Sequence, residues 1–415
     1  MSQPVGPLVE DLFRREAGRL TARLARLLGP GSLDMAEELV QSALTKALAV
    51  WPFRGVPDNP AGWLWTAARN AAIDALRQRR FTAPVSADDL AEALADEAAA
   101  DPAFAGELAD DQLRLIFACC HPALPADARV ALTLKTVGGF GVAEIARAFL
   151  MPEPTIAQRL VRAKAKLAEA RIPFAIPGPD ELPARQEAVL EVVYLLFNEG
   201  YGAARGDLLV RHDLAREAIR LADMLASGPV TGTPEARALA ALLCLQGARL
   251  ASRVDADGTL RPLAEQDRTA WDKGMIGQGF RWLQSSLRGG HETRWHIEAA
   301  IAASHAAAPS FQETDWERIL RHYDRLMAVA PSPVVALNRA VAVAEVDGPR
   351  AALDSVEDVV LDPRLARYPL LAAIRAELHR RLGDTATART HLAHALSMEL
   401  SGPERRFLQR KMLEL

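Results

Sequence analysis

Apolar residues recur every three or four positions along most of the chain, and Ala and Leu fill the majority of those positions. In residues 8–28 the leucines Leu8, Leu12, Leu20, Leu24 and Leu27 follow this spacing and stop at Gly29-Pro30-Gly31. A period near 3.6 places such residues on one face of an α-helix. Ala and Leu are strong helix formers, and aromatic residues make up only 6% of the 415. The expectation is an all-α protein. No stretch approaches the ~20 uncharged apolar residues that span a bilayer. Met1 to Arg15 carries acids and prolines and lacks an apolar signal core. Three cysteines, Cys119, Cys120 and Cys244, cannot build a disulfide framework. A cytoplasmic, reduced protein is expected.

The formal net charge of −4 conceals an uneven distribution. Residues 1–80 carry 11 Lys+Arg against 8 Asp+Glu, and residues 111–171 carry 9 against 5. Between them, residues 81–110 carry 8 acids and no base. Residues 172–415 are close to neutral, with 29 bases against 32 acids. Two basic blocks around an acidic strip point to a charged partner for the first part of the chain only.

The punctuation divides the chain further. A helix capped at Asp34 runs to about Trp51, with Glu37 and Glu38 in its first turn, where the helix dipole favours acids. Pro52 to Pro60 reads as a loop, and a third helix runs from Pro60 to about Arg80. Residues 81–110 read as a tether with room for one short helix. Residues 111–171 read as helices over Asp111–Cys120, Pro125–Thr136, Val142–Phe149 and Thr155–Arg171. The last two are separated by the tight turn Leu150-Met-Pro-Glu-Pro154. A short helix, a tight turn and a basic helix form a helix-turn-helix pattern. Residues 172–184 are a proline-rich boundary. From Arg185 onward only amphipathic helices and turns appear, divided here into 185–290 and 291–415. Gly348 and Gly383 lie 35 apart, each followed by Ala-rich packing positions, and this spacing fits a tetratricopeptide-like repeat.

The helix from Thr155 is the most informative segment. Ile156, Leu160, Ala163 and Leu167 form its apolar stripe. Thr155, Gln158, Arg159, Arg162, Lys164 and Lys166 remain for DNA, with Gln and Arg suited to base edges and Lys to phosphate. In the third helix Trp63 and Trp65 lie about 200° apart, so both can hardly be core. With Arg69, Asn70 and Arg77 they suit stacking on unpaired bases. The alternative is that one Trp fills the core and the arginines are surface residues. His291 and His296 are spaced too widely for a zinc-protease pair, and Asp255-Ala-Asp-Gly258 lacks a calcium loop's later ligands, so a turn is expected there. No Walker loop, dinucleotide fingerprint or nucleophile elbow is present. Neither an enzyme, a cofactor nor a metal site is expected.

These residues carry a resemblance. Asp34-Met-Ala-Glu-Glu-Leu-Val-Gln41, Phe53-Arg-Gly55 and Trp63-Leu-Trp-Thr-Ala-Ala-Arg-Asn-Ala-Ala-Ile-Asp-Ala-Leu-Arg77 resemble region 2 of the sigma-70 family, in its extracytoplasmic-function branch. Residues 111–168 resemble region 4. Leu196-Phe-Asn-Glu-Gly-Tyr-Gly202, with Asp207-Leu-Leu-Val-Arg211 and Asp255-Ala-Asp-Gly258, resembles the tetratricopeptide-like tail of one group in that branch. The resemblance implies that Asp34, Glu37, Glu38 and Gln41 dock on the clamp helices of RNA polymerase core. It implies that Phe53–Asn59 and the helix around Trp63, Trp65, Arg69 and Asn70 melt and read the −10 element. Gln158, Arg159 and Arg162 would read the −35 element. The loop departs from the family in its proline-rich Val56-Pro-Asp-Asn-Pro60. The acidic strip is then either an occupant of basic polymerase channels or a solvated linker. The tail would bind the sigma regions or a protein or peptide partner through Asn198, Glu199 and Tyr201, with Gly200 as a left-handed helix cap. The competing reading is a helix-turn-helix regulator with a helical-repeat sensor, binding DNA without polymerase.

Overall fold

A computed structural model describes residues 5–29, 31–79, 104–149, 151–201, 212–255, 257–289, 291–357, 362, 365, 368–398 and 400–415. The chain forms two compact units, Met1–Val192 and Val193–Leu415. Among the described residues every named element is helical, and β-structure is limited to an isolated bridge between Val254 and Leu260. The acidic strip lies largely outside the described residues.

The first unit contains α1 (Val5–Leu28), α2 (Leu33–Arg54), α3 (Pro60–Arg79), α4 (Phe104–Cys119), α5 (Ala126–Thr136), α6 (Val142–Phe149) and α7 (Glu153–Glu169). It also holds the first part of α8 (Leu182–Tyr201). Helix α1 is central and packs on α2, α3 and α4. Its buried Leu20 and Leu24 come from the predicted stripe. In α2 the buried Leu33, Ala36, Leu39, Val40, Ala43, Leu44, Ala47 and Trp51 form a helical stripe. Asp34 is a first-turn residue rather than the cap. Ser32 occupies the cap position and makes no side-chain cap bond, its hydroxyl donating instead to the Gly29 carbonyl.

Two contacts fasten α1 to the segment that follows the acidic strip. Asp111 on α4 is buried, accepts a hydrogen bond from Arg114 at 2.7 Å, and forms ion pairs with Arg26 Nε at 2.8 Å and Arg23 at 3.9 Å. At Gly18 a Cβ would stand 1.9 Å from the Val137 carbonyl oxygen, so only glycine allows α1 this backbone approach. The two basic blocks, expected as separate modules on a tether, therefore pack together within one unit. Cys119 and Cys120 are core thiols beside Thr136 and Thr133, and burial pushes Cys120 up to about 12.

The second unit continues α8 and adds α9 (His212–Ser227), α10 (Pro234–Gly247), α11 (Lys273–Ser286), α12 (Arg294–Ala307), α13 (Trp316–Val329), α14 (Pro333–Val346), α15 (Pro349–Ser355), α16 (Pro369–Arg381), α17 (Thr385–Leu396) and α18 (Gly402–Leu413). Helix α10 is buried along most of its length and packs against α9, α11 and α12. Gly348 and Gly383 both take positive φ, at 91° and 80°, in the turns α14–α15 and α16–α17. Each turn joins two packed helices, and Ala352 and Ala388 are fully buried after them.

Arg268 fastens the end of α12. Its guanidinium donates to the carbonyls of His305 and Ala308 at 2.8 and 2.9 Å and to Thr314 Oγ1 at 2.9 Å. Burial, helped by Arg249 and Arg268, pushes the His305 imidazole down to about 3. A histidine depressed in the folded state contributes stability above its unfolded pKa of about 6.5, and that stability is lost as pH falls below it. Lowering pH from 7 to 5 is expected to cost this unit about 2 kcal/mol. Urea unfolding at the two pH values checks this, and an unchanged pH dependence in His305→Phe would refute the assignment.

Candidate nucleic-acid interface

Helix α2 buries its stripe and turns Asp34, Glu38 and Gln41 to solvent, while Glu37 is largely covered. Phe53, near the C-terminal end of α2, is 89% exposed. Asn59 accepts the Gly62 N–H at 2.9 Å and so caps α3. Trp63 is half-buried and meets Trp51 edge-on, with centroids 5.6 Å apart. Trp65, expected to stack on bases, is instead 0% exposed, with the Arg23 guanidinium 5.1 Å above its ring. The two-residue spacing separates the tryptophans, and the face toward α1 takes Trp65. Arg69 is half-buried and Asn70 exposed. The Arg77 side chain lies outside the described residues.

Helices α5, α6 and α7 pack as the helix-turn-helix pattern predicts. Ile156, Leu160, Ala163 and Leu167 are buried as expected. Thr155, Gln158, Arg162 and Lys166 are exposed, with Lys166 bonded to Glu169 at 3.1 Å. Val161, 66% exposed, shares this outward side and was not singled out by the charge pattern. Two expected DNA contacts are turned elsewhere. Arg159 is half-buried and pairs with Asp127 of α5 at 3.0 Å. Lys164 is 12% exposed and donates to Asp34 at 2.7 Å and to Glu37 at 2.6 Å. Burial alone would lower the Lys164 ammonium, but Glu37 and Asp34 outweigh it and its pKa ends above the ordinary lysine value. At neutral pH Lys164 therefore enters the contact as a full positive charge.

The tail residues are less alike than the sequence suggested. Asn198 is exposed. Glu199 is half-buried, and desolvation pushes its carboxyl above the ordinary range. Tyr201 is a packing residue: its ring stacks on Phe197 at 5.2 Å, and the Arg253 guanidinium lies 3.8 Å above it. Gly200 has no left-handed conformation and is no cap. It lies inside α8, where a Cβ would stand 2.4 Å from the Ala215 backbone nitrogen. Asp207 to Arg211 lie outside the described residues. Asp255 and Asp257 both accept the Thr259 N–H at 2.8 Å, which makes the expected turn. His296 serves the capping box of α12 with Thr293.

Comparison with known proteins agrees with this layout. Sigma-70 region 2 matches residues 12–82, and sigma-70 region 4 matches residues 114–167. A family of unknown function matches residues 185–287. An uncharacterized protein of Rhizobium meliloti (strain 1021) is 40% identical over 383 residues, covering 92% of this chain and 90% of its own. RNA polymerase sigma factor CarQ of Myxococcus xanthus is 38% identical over 141 residues, covering 33% of this chain and 73% of its own. No solved structure matches the chain. With region 2 and region 4 in order, and a sigma factor aligned over most of its own length, the chain belongs to the sigma-70 family of RNA polymerase sigma factors.

Proposed function

We propose that the chain is a sigma factor of the extracytoplasmic-function type, binding RNA polymerase core through α2 and directing initiation at promoters. The α2–α3 end would engage the −10 element, and α7 the −35 element. The observation that carries this reading is a helix-turn-helix whose second helix turns Thr155, Gln158 and Arg162 to solvent, preceded by a region 2 helix with an acidic outward edge. The region 2 and region 4 matches are separated only by residues 83–113, as a sigma factor of this type requires. The second unit would act as a tetratricopeptide-like regulatory domain. In support, glycines at 348 and 383 each turn one helix back on the next. Mixing the purified chain with core polymerase and candidate promoters tests the assignment. Run-off transcripts that require both proteins are expected, and DNA binding without transcripts would favour a simple regulator.

Within α7, Arg162 is the stronger candidate for base contact because Arg159 is engaged by Asp127. Arg162→Ala should cost about 1–3 kcal/mol at the upstream element and relax its sequence preference. Arg159→Ala should cost less. Promoter selection with randomised upstream elements measures both, and the reverse order would overturn the assignment.

A further inference from the structure

Three cations of the second unit gather without a carboxylate to answer them. Arg249 and Arg253 flank the short turn Leu250–Ser252, and that turn packs on Arg268–Ala270. The Arg249 and Arg253 guanidiniums lie 5.4 and 3.8 Å from the centroid of one ring, Tyr201. Arg268 is 5% exposed and holds the end of α12.

None of the three makes an ion pair with a carboxylate among the described residues. Arg249 donates to Gln246 Oε1 at 2.7 Å, and Arg268 donates to two backbone carbonyls and a hydroxyl. Arg253 Nε and Arg268 Nε are buried and have no hydrogen-bond partner. Glu404 of α18 acts on Arg253 from a distance, but its Oε2 takes the Ser401 N–H and hydroxyl at 2.9 and 2.7 Å. A ring face attracts a cation without cancelling its charge.

Such a cluster works against folding unless an anion joins it. Burial lowers the Arg253 and Arg268 guanidiniums, and the Arg249 charge lowers both further. Taking like charges out of water without a counter-charge is costly. A guanidinium is a planar fork that matches two oxygens of an oxyanion. A carboxylate would bring one negative charge against three positive ones, whereas a phosphoryl group brings about 1.5–2. Arg249 is half-buried, so solvent reaches the cluster from its side.

We propose that Arg249 and Arg253, beside the Tyr201 ring, form a phosphate-binding site, with Arg268 adding its charge from behind. The ligand is inorganic phosphate or the phosphoryl group of a small molecule. The site lies within the second unit and does not rest on the sigma reading.

Calorimetric titration of the full chain with inorganic phosphate, at constant ionic strength, tests this. Saturable binding is expected, with acetate weaker by at least about tenfold. Arg249→Met keeps the aliphatic stem and removes the central charge. It should weaken phosphate by at least about tenfold and leave the melting temperature of the free chain equal or higher. An arginine that served only the fold would lower it. Glycerol 3-phosphate separates the two sources: tighter binding than phosphate assigns a phosphoryl group on a larger molecule, and weaker binding assigns the free ion. Absence of saturable phosphate binding, equal binding of acetate, or undiminished binding in Arg249→Met overturns the site. So does an Arg249→Met chain that melts below the unaltered one or fails to fold.

Discussion

Asp111→Ala is expected to destabilise the first unit by about 3–5 kcal/mol, because it removes the buried carboxylate around which Arg23, Arg26 and Arg114 gather. Arg23 is almost fully covered, and Arg26 and Arg114 reach the same group from α1 and α4. Burial pushes the Asp111 carboxyl above the ordinary aspartate value even against the pull of Arg26, Arg114 and Arg23. The cluster is therefore a device for specifying how α1 meets α4 more than a source of net stability. Replacing Asp111 and Arg23 together by apolar residues should do far less harm than replacing Asp111 alone. Urea unfolding gives both values, and a loss below about 1 kcal/mol for Asp111→Ala would refute the account.

Trp65→Ala is the second large effect, at about 3–5 kcal/mol, since a fully buried indole leaves a cavity under Arg23. Trp63→Ala should cost less stability, because its ring is half-buried and touches Trp51 through an edge. The two variants should separate cleanly in assays of the folded protein. Trp63→Ala should lower promoter melting in a chain that still folds, and Trp65→Ala should lower the amount of folded chain. A Trp65→Ala protein that melts like the unaltered one would contradict the packing.

The helices were legible because their apolar stripes are local: Leu39, Val40, Ala43 and Leu44 declare a face from spacing alone. The short helix, turn and basic helix were legible for the same reason. The sites were read less completely, because partners of charged groups are set by tertiary structure. Arg159 and Lys164 look like free surface bases until α5 and α2 place Asp127, Asp34 and Glu37 beside them. The last two lie 130 and 127 residues away in sequence. Trp65 shows the same limit, since spacing separates it from Trp63 without saying which faces α1. Gly200 was read from its place at a helix end, whereas the close approach of Ala215 explains it. The packing of the two basic blocks into one unit had no local signal, because Gly18 and Val137 meet through backbone atoms.

The buried thiols have a practical corollary in labelling chemistry. Alkylating reagents attack thiolate, and a thiol pushed up to about 12 is ionised in only ~1 molecule in 100,000 at pH 7. Cys120 and Cys244 are in that state, and Cys119 is pushed higher still by its own burial. All three sulfurs are also covered by core side chains. Toward maleimide dyes the native chain should thus behave as though it had no cysteine. Cysteines introduced together at exposed Gln41 and Gln158 become the two attachment points, and the separation of α2 and α7 can be followed by energy transfer between dyes there without altering the core.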